Sequence, residues 1–401
     1  MMLTHLLGLL KFFVLATRHE AIGKIQDKLQ DKTFHYEPFD KFQPGLMVQE
    51  QKKNSGVLCT FLFCFYSFVG IIAHISAVML VKKNTINEVF IMNTTCASFL
   101  PYSFYFPFDV STKDKCYYSL IFMDVCLVIF AFYIATLDAV FVSLLHLLKT
   151  QLTILTDALK TIRGRCLNKL GLEGNFSVLY DQVHPRLEKE MYQHLTHSTK
   201  HVQSLVEVGS DIENLFTFVT LMQTLSSLFI FASSLYSVVK EPITSPNFFS
   251  QLQYFIAVLC QFSVYCWFGN QITLAAAEIP FALYKSDWFG CSQRYKKSML
   301  MTMTRMRKPL YISIGKFSPL TLTTLLAVIK ASFSYFTLFQ SLSLIGRLED
   351  TICTDGCFSD VSNSQYIVDT KVQCPIIQEL KNTRFTHSFH IEFVFVNYLS
   401  F

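Results

Sequence analysis

Thr323, Lys330, Ser334, Thr337 and Ser341 lie seven, four, three and four residues apart inside the apolar run 318–344. Positions three and four apart share one face of a helix. The five therefore form a polar stripe on an otherwise apolar rod. Hydrocarbon offers such groups no partners, so the stripe faces either another helix or water. Lys330 sharpens the choice, because an isolated lysine at the centre of a bilayer costs about 2.5–3.5 kcal/mol on insertion scales. Either Lys330 pairs with a carboxylate such as Asp124 or Asp138, or the stripe lines a path for water.

A second set lies in the run 56–81, where Ser67, Gly70 and His74 share one face. Gly70 leaves a dent there, and Ser67 offers one hydrogen bond to a small molecule. Close helix packing explains a glycine at such a position equally well. Asn93 opens an Asn-Thr-Thr sequon and Asn175 an Asn-Phe-Ser sequon. Cys96 and Cys116 flank the same loop and are candidates for a disulfide if that loop meets an oxidising compartment. No HExxH pair, phosphate-binding glycine loop or nucleophile elbow is present. The twelve cysteines show no zinc spacing. Neither an enzyme nor a cofactor or metal site is expected.

The elements that hold these residues are set by composition. Hydrophobic residues make up 51% of the 401, charged residues only 16%, and 40 are Phe. A soluble fold has more charge to cover its surface, so the chain is expected to be a polytopic membrane bundle of α-helices. A span needs about 20 mostly apolar residues. The runs 56–81, 118–147, 214–239, 249–275 and 318–344 qualify, and 3–17 is a shorter sixth candidate. That first run lacks a basic leader and a small-residue cleavage site, so it is expected to be part of a membrane helix rather than a signal peptide.

Loop charge orients the spans. Segments 18–55, 148–213 and 276–317 are rich in Lys and Arg, whereas 82–117 carries four and 240–248 only Lys240. The rich loops are expected in the cytoplasm and the C-terminus outside, the reverse of a G-protein-coupled receptor. In the long loop 148–213, His197, His201, Leu205, Val208 and Ile212 recur at helical spacing. This predicts a cytoplasmic helix that runs into the next span.

Three stretches then carry a resemblance: LPYSFYFPFDVS (100–111), YCWFGNQITLAAAEIPFALYKSDW (265–288) and RKPLYISIGKFSPLTLTTLLAVIKASFSYFTLFQS (307–341). With DAVFVSLLHLLKTQLTILTDAL (138–159), they closely resemble insect odorant receptors over roughly residues 1 to 344. The resemblance implies an inverted seven-helix topology in the plasma membrane of olfactory sensory neurons. It also implies a ligand-gated cation channel, built as a hetero-tetramer with the odorant co-receptor, opened by small volatile ligands and needing neither a G protein nor nucleic acid.

Carried onto matching positions, the family's last helix would line the pore through Lys330, Ser334, Thr337 and Ser341, with a gate at Leu338, Ser341 and Leu342. An apolar ring of this kind closes a pore by dewetting. Ligands would sit in the outer half of the membrane against Ser67, Gly70 and His74, with Phe122, Met123, Tyr254 and Phe255 completing an aromatic wall. The sequence departs from the family twice. Its first span is expected to be missing, and 345–401 forms an atypical extracellular tail. A gustatory-type receptor of the same superfamily, or a truncated non-conducting product, are the alternative expectations.

Overall fold

The structure is a computed structural model that describes residues 2–86, 106, 108, 113–173 and 184–356. In chain order its elements are α1 (Met2–Leu29), α2 (Pro44–Ile86), α3 (Lys113–Lys160), α4 (Ile162–Leu170), α5 (Pro185–Lys240), α6 (Pro246–Lys285), α7 (Gln293–Arg305), β1 (Ser313–Ile314), β2 (Ser318–Pro319) and α8 (Leu322–Gly356). The two short strands pair antiparallel, Ile314 opposite Ser318. The described fold is otherwise helical.

Among the described residues five helices, α2, α3, α5, α6 and α8, are long and apolar enough to cross a membrane. α1 is not among them, since Lys11 and then Arg18 and Glu20 interrupt its apolar run. At 1.5 Å per residue, the 56-residue α5 is roughly 84 Å long and the 48-residue α3 roughly 72 Å. A bilayer's hydrocarbon core is only about 30 Å thick. Both helices must project far beyond one face.

The projecting halves form a second, denser layer with α4, α7 and the hairpin. Leu148, Leu155 and Ile162 pack there with Leu195, Val208 and Ile212, all fully buried. The predicted helix in 148–213 is thus the first half of α5, and His201, Leu205, Val208 and Ile212 form its buried stripe. His197 is instead held by the carbonyl of Thr33 at 2.9 Å.

Buried polar groups tie parts of this layer together. Tyr36 Oη lies 2.9 Å from His201 Nδ1, and burial pushes its phenol up to about 12. The Arg165 guanidinium donates to the Ala158 carbonyl at 2.7 Å, while burial holds it below the usual arginine range. Desolvation pushes the Cys166 thiol up to about 12, which leaves it inert as a nucleophile.

Local signals set the ends of these elements. Ser245 accepts from the Phe248 amide and Pro246 follows it, which starts α6. Ser292 caps α7 in the same way. Gly315 stands at φ +58° in the hairpin turn, a conformation that a side chain disfavours. The hairpin delays α8, which begins at Leu322 rather than 318, and the helix runs on past 344 to Gly356.

Candidate functional site

Between α2 and α3 lies a cavity of about 360 Å³. Its walls are apolar: Phe63, Ile71, Leu127 and Phe132 among them. Polar groups sit at two levels. Tyr66 and Ser67 lie at one, while His74 and Asp124 pair with each other at the other. A mostly apolar concavity with a few placed polar groups is the usual make-up of a small-molecule site.

Four of the residues expected at a ligand site do line it: Ser67, Gly70, His74 and Met123. A Cβ built on Gly70 would meet nothing within 4 Å, so this glycine opens the cavity rather than allowing a helix to approach. The other three are elsewhere. Phe122 turns toward Phe106 and Phe108 in rings 5.9–6.4 Å apart. Tyr254 is hydrogen-bonded to Thr4 of α1, and Phe255 packs edge-on against Phe231 of α5. All three were expected from their place in the outer halves of their spans, and none of them lines this cavity.

Directly beside the cavity is a buried hub that the sequence reading missed. Asp138 on α3 and Lys11 on α1 form an ion pair at 2.7 Å, each side chain only 2% exposed. The same carboxylate accepts from Tyr265 at 2.6 Å, from Tyr66 at 2.8 Å and from Gln261. Gln223 of α5 donates to the Gln261 carbonyl oxygen at 3.3 Å. One carboxylate therefore joins α1, α2, α3 and α6 directly and α5 through one more bond. Four donors on one carboxylate satisfy nearly all of its lone pairs, which is what makes a buried charge tolerable. Tyr66 belongs to both structures: its ring lines the cavity and its hydroxyl holds the hub.

This corrects the alternative in which Lys330 pairs with Asp124 or Asp138. Asp138 takes Lys11, and Asp124 takes His74. Oppositely charged residues isolated in two apolar runs were the available signal. One alternative matched the lysine of the longer run to them, whereas Asp138's partner lay in the shorter sixth candidate, 3–17.

On α8, Thr323, Lys330, Ser334, Thr337 and Ser341 are all exposed on this chain. Val328, Ser332 and Phe336, on the opposite side of the helix, are buried against the bundle. The polar stripe thus points away from the protein's own core. Leu338 and Leu342 flank it, 36% and 52% exposed. Phe333 is 58% exposed beside the stripe.

Asn93, Asn175 and Cys96 lie outside the described residues, and of Cys116 only the helical backbone is described. No group of histidines, cysteines and carboxylates fit to hold a metal occurs among the described residues.

The family model described as 7tm Odorant receptor matches residues 1–333. The chain belongs to the odorant receptor family. It is 26% identical to odorant receptor 22c of Drosophila melanogaster over 155 residues, 39% of this chain and 38% of that one. With odorant receptor 63a of the same species it shares 26% over 182 residues, 44% and 43% of the two chains. A longer match, 21% over 323 residues, joins it to odorant receptor Or1 of Anopheles gambiae and covers 79% and 73%. The chain spans less than half the length of the first two relatives. Among solved structures, the olfactory receptor OR5 of Machilis hrabei in complex with eugenol has the same fold. Its TM-score is 0.62 at 11% identity, covering 84% of this receptor and 79% of that chain. This odorant receptor is thus a multi-pass membrane protein whose described residues are mainly helical.

Proposed function

We propose that this receptor is an odorant-gated cation channel subunit that binds small volatile ligands between α2 and α3 and lines a shared pore with α8. The observation that carries the proposal is the exposed polar stripe of α8, opposite the face that packs on the bundle. A helix in hydrocarbon keeps Lys330, Ser334, Thr337 and Ser341 on its outer face only if other subunits or water cover them. Partner subunits, with the co-receptor as the expected one, supply that cover and enclose the pore. Leu338, Ser341 and Leu342 form the constriction.

The cavity suits the ligand class. About 360 Å³ is near the lower end of small-molecule pockets, and its apolar walls favour volatile, weakly polar compounds. The Machilis receptor was solved with eugenol bound, which supports reading the cavity here as a place for molecules of similar scale. Tyr66 links it to the Asp138 hub, which ties the ligand-facing helices to α6 and α5, and α5 packs along α8. Loop charge supports cytoplasmic placement of the dense helical layer, and membership of the odorant receptor family supports the plasma membrane of olfactory neurons as its place.

The test is co-expression with the odorant co-receptor and current recording against a broad odour panel. Odour-evoked inward currents that need both subunits are expected. Currents of equal size from the co-receptor alone would overturn the proposal.

A further inference from the structure

A second concavity lies where α1 meets α5, an open groove of about 730 Å³ on the side of the dense layer. Its composition changes along its length. Toward the α1 N-terminus the walls are Phe13 and Val14, faced by Leu215 and Phe218 of α5. Further along α1 they become Arg18, Lys24 and Lys28, faced by Asn214 and Asp211. The α1 residues recur at helical spacing, so they occupy one face. Both helices change from apolar to polar at the same height. Lys28 fixes the register, binding Asp211 at 3.0 Å and Glu207 at 2.8 Å.

This division is that of a membrane surface. Phe13 and Phe218 are 64% and 53% exposed, as hydrocarbon-facing side chains are. Lys28 is committed to two carboxylates, but Arg18 and Lys24 have no protein partner among the described residues. The groove therefore presents two uncompensated cations directly above an apolar trough. Lys24 lies about 9 Å beyond Arg18 along the helix, within the thickness of a phosphorylated headgroup layer. A solvated basic face would need no trough beneath it, and a free phosphate would make no use of one.

We propose that the α1–α5 groove is a binding site for an anionic phospholipid, with its phosphate-bearing headgroup on Arg18 and Lys24 and an acyl chain against Phe13, Val14 and Phe218. Basic pockets between helices at the cytoplasmic surface take such headgroups. The proposal rests on the membrane orientation given above, in which this end of α1 meets the inner leaflet.

The test uses the full-length receptor in phosphatidylcholine nanodiscs carrying a small fraction of phosphatidylinositol phosphate in both leaflets. Symmetric discs make the result independent of orientation, which the glycosylation test in the Discussion decides separately. Native mass spectrometry counts retained anionic lipid. The double variant Arg18→Gln with Lys24→Gln is expected to bind about thirty-fold more weakly, about five-fold for each lost charge near a membrane surface. Asn214→Glu, a surface change on the opposite wall, is expected to weaken binding as well.

Lys52→Gln with Lys53→Gln removes the same charge from α2 and is expected to leave binding unchanged. Equal loss in both double variants would show diffuse attraction to the basic surface and overturn the site. So would full retention in the groove variants. If soluble inositol phosphate binds as tightly as the lipid, the trough plays no part and the lipid reading falls.

Discussion

At the scale of the residue, Asp138 and Tyr66 carry the most consequence. Removing one member of a buried ion pair leaves the other charged and unpaired, at a cost on the order of 3–5 kcal/mol. Asp138→Leu should therefore sharply reduce surface expression, measured by biotinylation of intact cells. The paired change Lys11→Met with Asp138→Leu should recover much of it, because a well-packed apolar pair often replaces an ionic one without loss. No recovery would mean that the carboxylate's bonds to Tyr66, Gln261 and Tyr265 matter more than its charge. Gly70 behaves differently. A side chain there enters open space, so Gly70→Leu should reach the surface normally while narrowing the odour panel toward smaller ligands. Identical dose–response curves across the panel would move the ligand elsewhere.

At the scale of the element, two stretches that identified the family in the sequence meet in space. Gly269, in YCWFGNQ, lies on α6 against the hairpin that precedes α8. A Cβ there would stand 2.2 Å from the Leu320 carbonyl oxygen, a backbone atom that cannot step aside. At Gly209 the nearest atoms belong to the flexible side chain of Leu310. Gly269→Ala should therefore lower surface expression more than Gly209→Ala, and equal losses would contradict the close α6–hairpin approach. On α8 itself, Leu338→Ala should raise resting leak in complex with the co-receptor, since a dewetted ring fails once one side chain shrinks. Lys330→Glu should shift the reversal potential toward cations by reversing the stripe's one charge. Unchanged leak and selectivity at normal surface expression would remove α8 from the pore.

How much was legible in the sequence also divides at this scale. The helices, the α8 stripe and the α2 half of the cavity follow from periodicity, because Ser67, Gly70 and His74 are neighbours on one helix. Tyr254 and Phe255 were misplaced because rotation of α6 about its axis depends on packing with α5 and α1, which no local pattern records. The same limit hid the Lys11–Asp138 pair. Each charge stood out alone in an apolar run, but choosing partners requires knowing which helices are adjacent.

At the scale of the whole molecule, the asymmetry of the fold bears on its orientation. α3 and α5 run roughly 72 and 84 Å, so their excess length lies on the side that also holds α4, α7 and the hairpin. That layer carries the basic segments 148–213 and 276–317, the sign of charge retained in the cytoplasm. By the same rule the sparsely charged segments 82–117 and 240–248 are expected on the outer side. Two natural reporters flank this division. Asn93 falls in the sparsely charged sequence segment 82–117 and Asn175 in the basic segment 148–213, each within a glycosylation sequon. Glycan transfer occurs only on the lumenal face of the secretory pathway. Expression in insect cells followed by endoglycosidase digestion should therefore give a single mobility shift, abolished by Asn93→Gln and unaffected by Asn175→Gln. The converse pattern would place the dense layer outside the cell, invert the charge argument and move the α1–α5 groove to the outer leaflet.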